Sequence, residues 1–259
     1  MNGSVRTQPA RSRFDGLLKI ARYNWPQYVG GFVTIFVVTT WLGSSQAVTP
    51  QPRLAAWIVV FFVTWWCMAS LFASHWIYDR SELYRWTWIP AFLTGPPNHW
   101  LNLHAGLDES SNVLRRLFPN SSGRTGDFYD AKEMSEPSIR RAREEQGDST
   151  AEQIDFRHFP FADETFDTVF LLFAAHEIRC VASREIFFQE LHRVLARSGK
   201  ILLVEHARDL ANFAAFGPGF FHFMPANEWR RLADLTGLRI TKEQRMTPFV
   251  KVVLMEKTI

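Results

Sequence analysis

Two long runs without acidic or basic side chains constrain the fold of this 259-residue chain more than any other feature. Residues 54–77 contain no Asp, Glu, Lys or Arg, and the same holds for residues 28–43. A helix needs about 20 apolar residues to cross a bilayer, and uncharged stretches of this length are rare in the cores of soluble proteins. The sequence therefore predicts a hairpin of two transmembrane helices, with spans at about 26–43 and 54–77.

Basic residues before the hairpin set its predicted orientation. Ahead of the first span stand one acid, Asp15, and five basic residues, which are Arg6, Arg11, Arg13, Lys19 and Arg22. The connection between the spans carries only Arg53. Because positive charge stays on the cytoplasmic side, both ends of the hairpin are expected in the cytoplasm. A signal peptide is disfavoured, since the first run begins late and a second apolar run follows it. The lipid bilayer is thus an expected partner. The chain is predicted to be a membrane protein with two spans, and its catalytic domain is expected in the cytoplasm.

Composition excludes several classes of protein. Lys and Arg number 29 against 26 Asp and Glu, and a net charge of +3 lacks the basic excess typical of nucleic-acid binding. Two cysteines exclude a disulfide scaffold and a zinc site with several Cys ligands. The composition specifies no oligomeric state.

After Pro97 the pattern changes to short apolar strands alternating with helices. Strands are predicted at about 100–105, 128–130, 154–156, 168–173, 201–204, 238–240 and 250–255. Helices are predicted at about 110–118, 138–145, 184–195 and 228–236. This alternation predicts an α/β fold with a doubly wound, Rossmann-like, mostly parallel seven-stranded sheet. The expected division is an anchor hairpin with a surface connector over 1–97, and the α/β domain over 98–259.

Polar and titratable side chains follow the predicted strands at their carboxyl ends, where doubly wound sheets bind ligands. His104 ends the first strand, His176 and Glu177 follow the fourth, and Glu205 and His206 end the fifth. Unpaired buried polar groups cost about 1–3 kcal/mol each, so this clustering favours a site over ordinary packing. We predict His176, Glu177 and His206 as the catalytic residues, with a His beside a Glu suited to proton abstraction.

The stretch from Phe159 to Glu205 resembles class I S-adenosylmethionine-dependent methyltransferases of the type 11-like kind. Its segments FPFADETFDTVFLLF, RVLARSG and ILLVE are similar to the family's fourth strand, the turn before the fifth strand, and the fifth strand. The resemblance covers residues 98–259 and not the hairpin. It implies a Rossmann-like fold, S-adenosyl-L-methionine as cofactor, and transferase activity.

The resemblance also implies individual cofactor-binding residues. Asp130 corresponds to the acid after the second strand, which accepts hydrogen bonds from the ribose hydroxyls, while Asp155 and Phe156 correspond to the positions that flank the adenine. In place of the family's acid-x-Gly-x-Gly-x-Gly loop, residues 102–108 are NLHAGLD, so one of three glycines remains. The loop residues expected at the cofactor are Asn102, His104 and Gly106.

The histidines allow a different chemistry at the same edge. Imidazole and carboxylate groups together can bind iron, manganese or zinc, so a divalent metal is an alternative cofactor. The candidate ligands are His104, His176, His206 and His222, with Asp108, Glu177 or Glu205. A metal-dependent enzyme on a methyltransferase-like scaffold is therefore one alternative function. A non-catalytic membrane adaptor that keeps the fold is another.

A phenylalanine-rich segment follows the fifth strand. Residues 212–224, NFAAFGPGFFHFM, place five Phe around Gly217 and Gly219, which predicts a mobile loop and not a helix. Together with the hairpin, this segment predicts a hydrophobic acceptor, lipid-like or quinone-like, that arrives from the bilayer. The leading hypothesis is a membrane-anchored methyltransferase acting on such an acceptor.

Overall fold

The computed structural model describes residues 13–44, 49–146 and 151–258. The chain begins with helices α1 (Asp15–Tyr23), α2 (Trp25–Ser44) and α3 (Pro50–His75). Helices α2 and α3 run in opposite directions. Accordingly, the Tyr28 hydroxyl near the start of α2 lies 3.3 Å from Ser70 Oγ near the end of α3. The predicted pair of helices is therefore present, with α1 as an additional helix in front of it.

The lengths and compositions of the helices test only the second of the two predicted membrane spans. Within the described ranges, one helical stretch, Pro50–Arg80, is long and apolar enough to cross a membrane by length and composition. A crossing by the first expected span stays a prediction. The orientation also stays a prediction, and residues 1–12, which carry Arg6 and Arg11, lie outside the described residues.

The connector after α3 is buried against the sheet, and its expected position at the membrane surface stays a prediction. It consists of a π-helical turn (Trp76–Arg80), a 3-10 turn (Leu83–Arg85) and helix α4 (Ile89–Phe92). Its buried side chains include Ile77, Leu83, Trp86, Ile89 and Phe92. They share a hydrophobic cluster with Trp100 and Phe170 of the sheet. Each large apolar side chain gains about 1.5–3 kcal/mol by burial, so the connector joins the core.

The sheet has the predicted architecture. Its strands are β1 (His99–His104), β2 (Ser122–Asp127), β3 (Glu152–Gln153), β4 (Phe166–Leu172), β5 (Leu195–His206), β6 (Leu238–Thr247) and β7 (Val250–Lys257). They lie in the order β3-β2-β1-β4-β5-β7-β6, with β7 antiparallel to β5 and β6 and the other pairs parallel. This confirms a Rossmann-like α/β fold with a seven-stranded sheet, whose carboxyl edge carries the loops after β1, β2 and β4.

Helices flank the sheet, and one of them replaces a predicted loop. They are α5 (Ser111–Leu117), α6 (Pro137–Gln146), α7 (Val181–Val194), α8 (Leu210–Phe216) and α9 (Ala226–Thr236). The prediction of a loop in the phenylalanine-rich segment is wrong, because α8 and a 3-10 turn (Gly217–His222) occupy it. Asp209 caps α8 by accepting a hydrogen bond from the Asn212 backbone N–H at 3.0 Å.

The second strand lies earlier in the chain than predicted. We expected it at residues 128–130 after a turn-rich segment, whereas β2 occupies that turn-rich segment and ends at Asp127. The third strand also lies earlier than predicted. It is two residues long and ends at Gln153, just before the predicted range. The acid that ends β2 is therefore Asp127, and the placement of Asp130 at the end of the strand is wrong.

Two glycines explain why β2 has the composition of a turn. A Cβ at Gly123 would overlap the indole of Trp100, and a Cβ at Gly126 would lie 2.9 Å from the side chain of Ile154. The strand therefore uses glycine to make room for large neighbours in the core. It does not use glycine to reverse the chain.

Replacing Gly123 by alanine tests this packing. We expect Gly123→Ala to lower the free energy of unfolding by about 1–3 kcal/mol, the usual cost of overpacking a core. The control is Gly95→Ala, because a Cβ at Gly95 meets nothing within 4 Å. Thermal unfolding of the purified full chain should show a lower Tm for the first variant only. Equal Tm values would show that Trp100 moves aside without cost.

Candidate functional site

A cavity of about 960 Å³ lies between the N-terminal helices with the connector and the carboxyl edge of the sheet. The side chains from the helices and the connector include Tyr23, Tyr28, Trp66, Ser70 and Tyr78. Those from the sheet edge include His104, His176, Glu177, His206 and His222. This volume is enough for a ligand the size of a drug or a cofactor. All three predicted catalytic residues line it.

Helix α1 borders the cavity and is attached at both ends. Near its start, the Asp79 carboxylate accepts a hydrogen bond from the Gly16 backbone N–H at 2.7 Å and lies 3.0 Å from His75 Nδ1. A buried carboxylate at a helix N-terminus is stabilised by the free N–H groups and the helix dipole. Farther along, Lys19 pairs with Glu109, in the loop after β1. Helix α1 therefore connects the end of α3 to the loop that follows β1.

His176 is buried between two carboxylates. It lies in the 3-10 turn after β4, with Nδ1 2.7 Å from Glu205 Oε2 and Nε2 3.3 Å from Glu177 Oε1. Burial alone lowers the pKa of His176, but the charge of Glu205 and the hydrogen bond to Glu177 outweigh it and raise the pKa to about 10. For Glu177 the directions are reversed. Burial alone raises its pKa, but the hydrogen bond to His176 outweighs burial, and the pKa is lowered. Without another cation at this place, the imidazole is protonated.

His222, from the 3-10 turn after α8, completes this cluster. Its Nε2 lies 3.9 Å from Glu177 Oε1, and its Nδ1 lies 3.3 Å from Glu136 Oε1. The rings of His176 and His222 meet edge to face, with centroids 4.9 Å apart. Glu136, which precedes α6, was not predicted, because no strand end or motif marks it in the sequence.

His206 lines the same cavity with different partners. Its Nε2 lies 3.3 Å from the Tyr78 hydroxyl and its Nδ1 lies 3.4 Å from Asn212 Oδ1. The ring stacks on Phe223 at a centroid distance of 4.5 Å. Burial lowers the pKa of His206 to about 3, and the positive charge of His176 acts in the same direction. His206 is therefore a neutral imidazole.

The structure divides the set of metal ligands that the sequence suggested. The part that comes together is His176, Glu177 and His222, whose ligand atoms all lie within 4.8 Å of one another. His104 is not part of it, since its Nδ1 accepts a hydrogen bond from the Gly106 backbone N–H at 3.0 Å. Asp108 caps α5 by accepting from the Ser111 backbone N–H at 2.9 Å. Glu205 contacts the outer nitrogen and the backbone N–H of His176 and lies outside this group of ligand atoms.

The ends of β1 and β2 carry a second group of residues, around Asp127. The Asp127 carboxylate is buried, and its Oδ2 lies 2.7 Å from a guanidinium nitrogen of Arg143 on α6. Arg143 also packs against Gly106, where a Cβ would overlap it and where the backbone has φ +103°. Neither Asp127 nor Arg143 was predicted, because the second strand was placed too late in the chain.

The predicted residues of β1 are buried with unused hydrogen-bonding capacity. The Asn102 amide donates to the hydroxyls of Ser110 and Ser111 at 2.9 and 2.8 Å. Asn102 Oδ1 and His104 Nε2 are buried and have no hydrogen-bond partner among the described residues. Such orphaned atoms are costly in a finished core, so they favour a bound polar group at this edge.

The other predicted cofactor residues lie near Arg157. Asp130 and Asp155 are 3.1 and 3.5 Å from its guanidinium, respectively, and Asp155 is exposed. Phe156 is buried, and the Arg157 guanidinium covers its ring at 4.1 Å. Nothing in this arrangement tests their predicted contact with adenine or ribose.

Arg184, which was not predicted, holds the turn that carries His176. It is buried in α7, donates to the backbone oxygen of Ile178 at 2.6 Å, and pairs with Glu228 of α9 at 2.7 Å. Its place at helical spacing with the buried Phe187, Leu191 and Val194 is the signal that could have identified it.

Sequence comparisons agree with this architecture. Residues 120–203 match a family profile described as a methyltransferase domain. A phosphatidylethanolamine N-methyltransferase from Cereibacter sphaeroides is 31% identical over 121 residues, which is 44% of this chain and 57% of the relative. The chain thus spans less than two thirds of the length of that curated relative.

Structural comparisons give the same fold. A S-adenosylmethionine-dependent methyltransferase from Aquifex aeolicus superposes with a TM-score of 0.51 and 14% identity, over 66% of this chain and 87% of that one. The pyocyanin biosynthetic protein PhzM superposes with a TM-score of 0.50 and 9% identity, over 85% of this chain and 61% of that one. At these identities the likeness shows the fold alone. Together with the profile match over residues 120–203, it supports a class I methyltransferase fold for the α/β domain.

Removing Arg184 tests whether it supports the turn. We expect Arg184→Met to lower the free energy of unfolding by about 3 kcal/mol, because it removes the donor to the backbone oxygen of Ile178 and leaves Glu228 with the half-exposed Arg231 as its arginine partner. Arg231→Met is the matched control, since Arg231 pairs with the same Glu228 but is 41% exposed, and exposed pairs contribute at most about 1 kcal/mol. Chemical denaturation of both variants gives the comparison. Equal losses would contradict a special role for Arg184.

Proposed function

We propose that this chain is a membrane-anchored, S-adenosylmethionine-dependent methyltransferase with a hydrophobic, lipid-like or quinone-like acceptor. The observation that carries this proposal is the cavity, because the apolar anchor forms one wall and the strand ends of the methyltransferase domain form the other. A hydrophobic acceptor can reach such a site directly from a bilayer. The Cereibacter relative is named for a lipid acceptor, which supports the same class of substrate.

Exposed apolar side chains on both long helices support the membrane anchor. Those that are at least 60% exposed include Phe32, Phe36, Leu54, Phe61, Met68 and Phe72. Continuous apolar surface of this extent is unstable in water, and a bilayer is the cover that its length fits. The proposal includes both spans, with the catalytic domain on the cytoplasmic side.

The residues at the ends of β1, β2 and β3 fit the cofactor. When bound, S-adenosylmethionine supplies an electrophilic methyl group on a sulfonium sulfur. We assign Asp127 as the acceptor of hydrogen bonds from the ribose hydroxyls, and Phe156, whose ring Arg157 now covers, as the aromatic side chain beside the adenine. The unpaired atoms of Asn102 and His104 are available to the polar methionine part.

Arg143 has to move when the cofactor binds. It holds Asp127 and fills the space against Gly106. Its side chain is 28% exposed, so a rotation toward solvent is open to it. Once released, the guanidinium is suited to pair with the carboxylate of the methionine part.

His206 is the residue that we propose as proton acceptor. It is neutral, and its Nε2 lies toward the cavity beside the Tyr78 hydroxyl. Asn212 fixes the ring by accepting from Nδ1, so the lone pair stays on Nε2. Deprotonation of the acceptor together with alignment is what a methyl transfer asks of the protein. His176 and Glu177 act beside it as charged groups that orient the acceptor.

Two variants decide which carboxylate holds the ribose. We expect Asp127→Asn to weaken S-adenosylhomocysteine binding by about 1.5–3 kcal/mol, the scale of a lost charge-assisted hydrogen bond. Asp130→Asn should weaken it much less, because Asp130 lies beyond the strand and pairs with Arg157. Calorimetric titration of the folded variants measures both. A larger loss for Asp130→Asn would restore the original assignment from the sequence.

Transfer of a labelled methyl group tests the function itself. The full chain in lipid nanodiscs is incubated with methyl-labelled S-adenosylmethionine and either a phospholipid or a quinone, and label is counted in the organic extract. We expect His206→Asn to lower turnover by about 10²–10⁴-fold with S-adenosylhomocysteine binding intact. His99→Asn, at the opposite end of β1, is the control. Cofactor binding without any labelled lipid or quinone would contradict this acceptor class, and absence of cofactor binding would favour an adaptor.

A further inference from the structure

Three side chains that can ligate a metal meet in the cavity. Nε2 of His176 lies 3.3 Å from Glu177 Oε1, and Nε2 of His222 lies 3.9 Å from the same oxygen. All three ligand atoms lie within 4.8 Å of one another. Metal–ligand bonds of about 2.1 Å place neighbouring ligand atoms roughly 3–3.5 Å apart, so small side-chain shifts would bring all three onto one ion.

The outer nitrogens of both histidines are held by carboxylates. His176 Nδ1 lies 2.7 Å from Glu205 Oε2, and His222 Nδ1 lies 3.3 Å from Glu136 Oε1. In metal sites the ligating imidazole donates its other N–H to such a group, which fixes the tautomer and directs the remaining lone pair at the ion. Here both rings direct the same nitrogen, Nε2, at the same carboxylate, Glu177.

Glu177 has one carboxylate oxygen that is buried without a hydrogen-bond partner among the described residues. The residue is 8% exposed, and the oxygen without a partner is Oε2. Three carboxylates surround two imidazole rings in this cluster. The neighbouring Arg179 guanidinium donates to the backbone oxygens of Phe221 and His222, and within the described residues it forms no salt bridge with a carboxylate.

We propose that His176, Glu177 and His222 bind one divalent first-row transition-metal ion. Two imidazole nitrogens and one carboxylate oxygen favour ions such as Mn²⁺, Fe²⁺, Co²⁺ or Zn²⁺ over Mg²⁺ and Ca²⁺, which prefer sets made of oxygen alone. Glu205 and Glu136 position the two histidines. This inference goes beyond methyl transfer and does not depend on it.

Three protein ligands leave coordination positions open, and the cavity lies next to them. All three ligands line that cavity, so a water molecule or an oxygen of the acceptor can complete the coordination there. This one step rests on the proposed function: the ion would hold the polar end of the acceptor, while the side of the cavity formed by the helices would hold its apolar part.

Titration with Co²⁺ tests the proposal without cofactor, acceptor or turnover. The full chain, purified in detergent without a histidine tag, is treated with chelator, dialysed and titrated with Co²⁺ while the visible d–d bands are recorded. We expect saturation at one Co²⁺ per chain, a higher Tm in the loaded protein, and no displacement by excess Mg²⁺. Absence of saturable binding by the folded protein would overturn the proposal, while methyl transfer would remain to be judged by its own assay.

Two variants and one control assign the site. Glu136→Gln keeps the ligands and should weaken Co²⁺ binding by about 10–100-fold, as loss of an outer-shell partner does. His222→Gln removes a ligand that is 25% exposed and should weaken binding further. The control is His158→Gln, since His158 is 82% exposed and lies near a single carboxylate, Glu190. Equal affinities in His222→Gln and His158→Gln would place the ion elsewhere and refute the assignment.

Discussion

The carboxylate of Asp79, fully buried in the π-helical turn that follows the long helix α3, accepts a hydrogen bond from the first turn of α1 and lies beside His75. Through this contact α1 is fixed across the cavity, and Lys19 on the same helix reaches the loop after β1. The connector that follows is buried on the sheet around Trp86. The connector and the α/β domain therefore share one core, which fixes the helices relative to the site.

Features that follow from periodicity were predictable from the sequence. The uncharged run that forms α3, the buried strand β4 and the helix α7 each contain enough apolar residues at a regular spacing to define an element. Parallel strands with helical connections bring their carboxyl ends to one edge, which is why His176, Glu177 and His206 were expected to converge and do line one cavity.

Features that depend on distant neighbours were not predictable. Gly123 resembles a turn residue until Trp100 is seen to occupy the space beside it, so β2 was misplaced and Asp127 was missed. The role of Glu136 depends on a ring, His222, that lies far from it in the chain. The partners of His206 include Tyr78, which comes from the anchor and has no motif in common with the domain. In each case the deciding contact joins segments that no local pattern connects.

The two central histidines show how one cavity can hold opposite charge states. His176 lies between two carboxylates, which keep a positive charge there, whereas His206 is surrounded by aromatic rings, Tyr78 and Asn212. Burial and the charge of His176 both lower the pKa of His206. A divalent ion held by His176 would carry at least as much positive charge at the same place. Each positive centre beside His176 therefore keeps the second imidazole uncharged and also makes it a weaker base, so a bound metal opposes proton acceptance by His206.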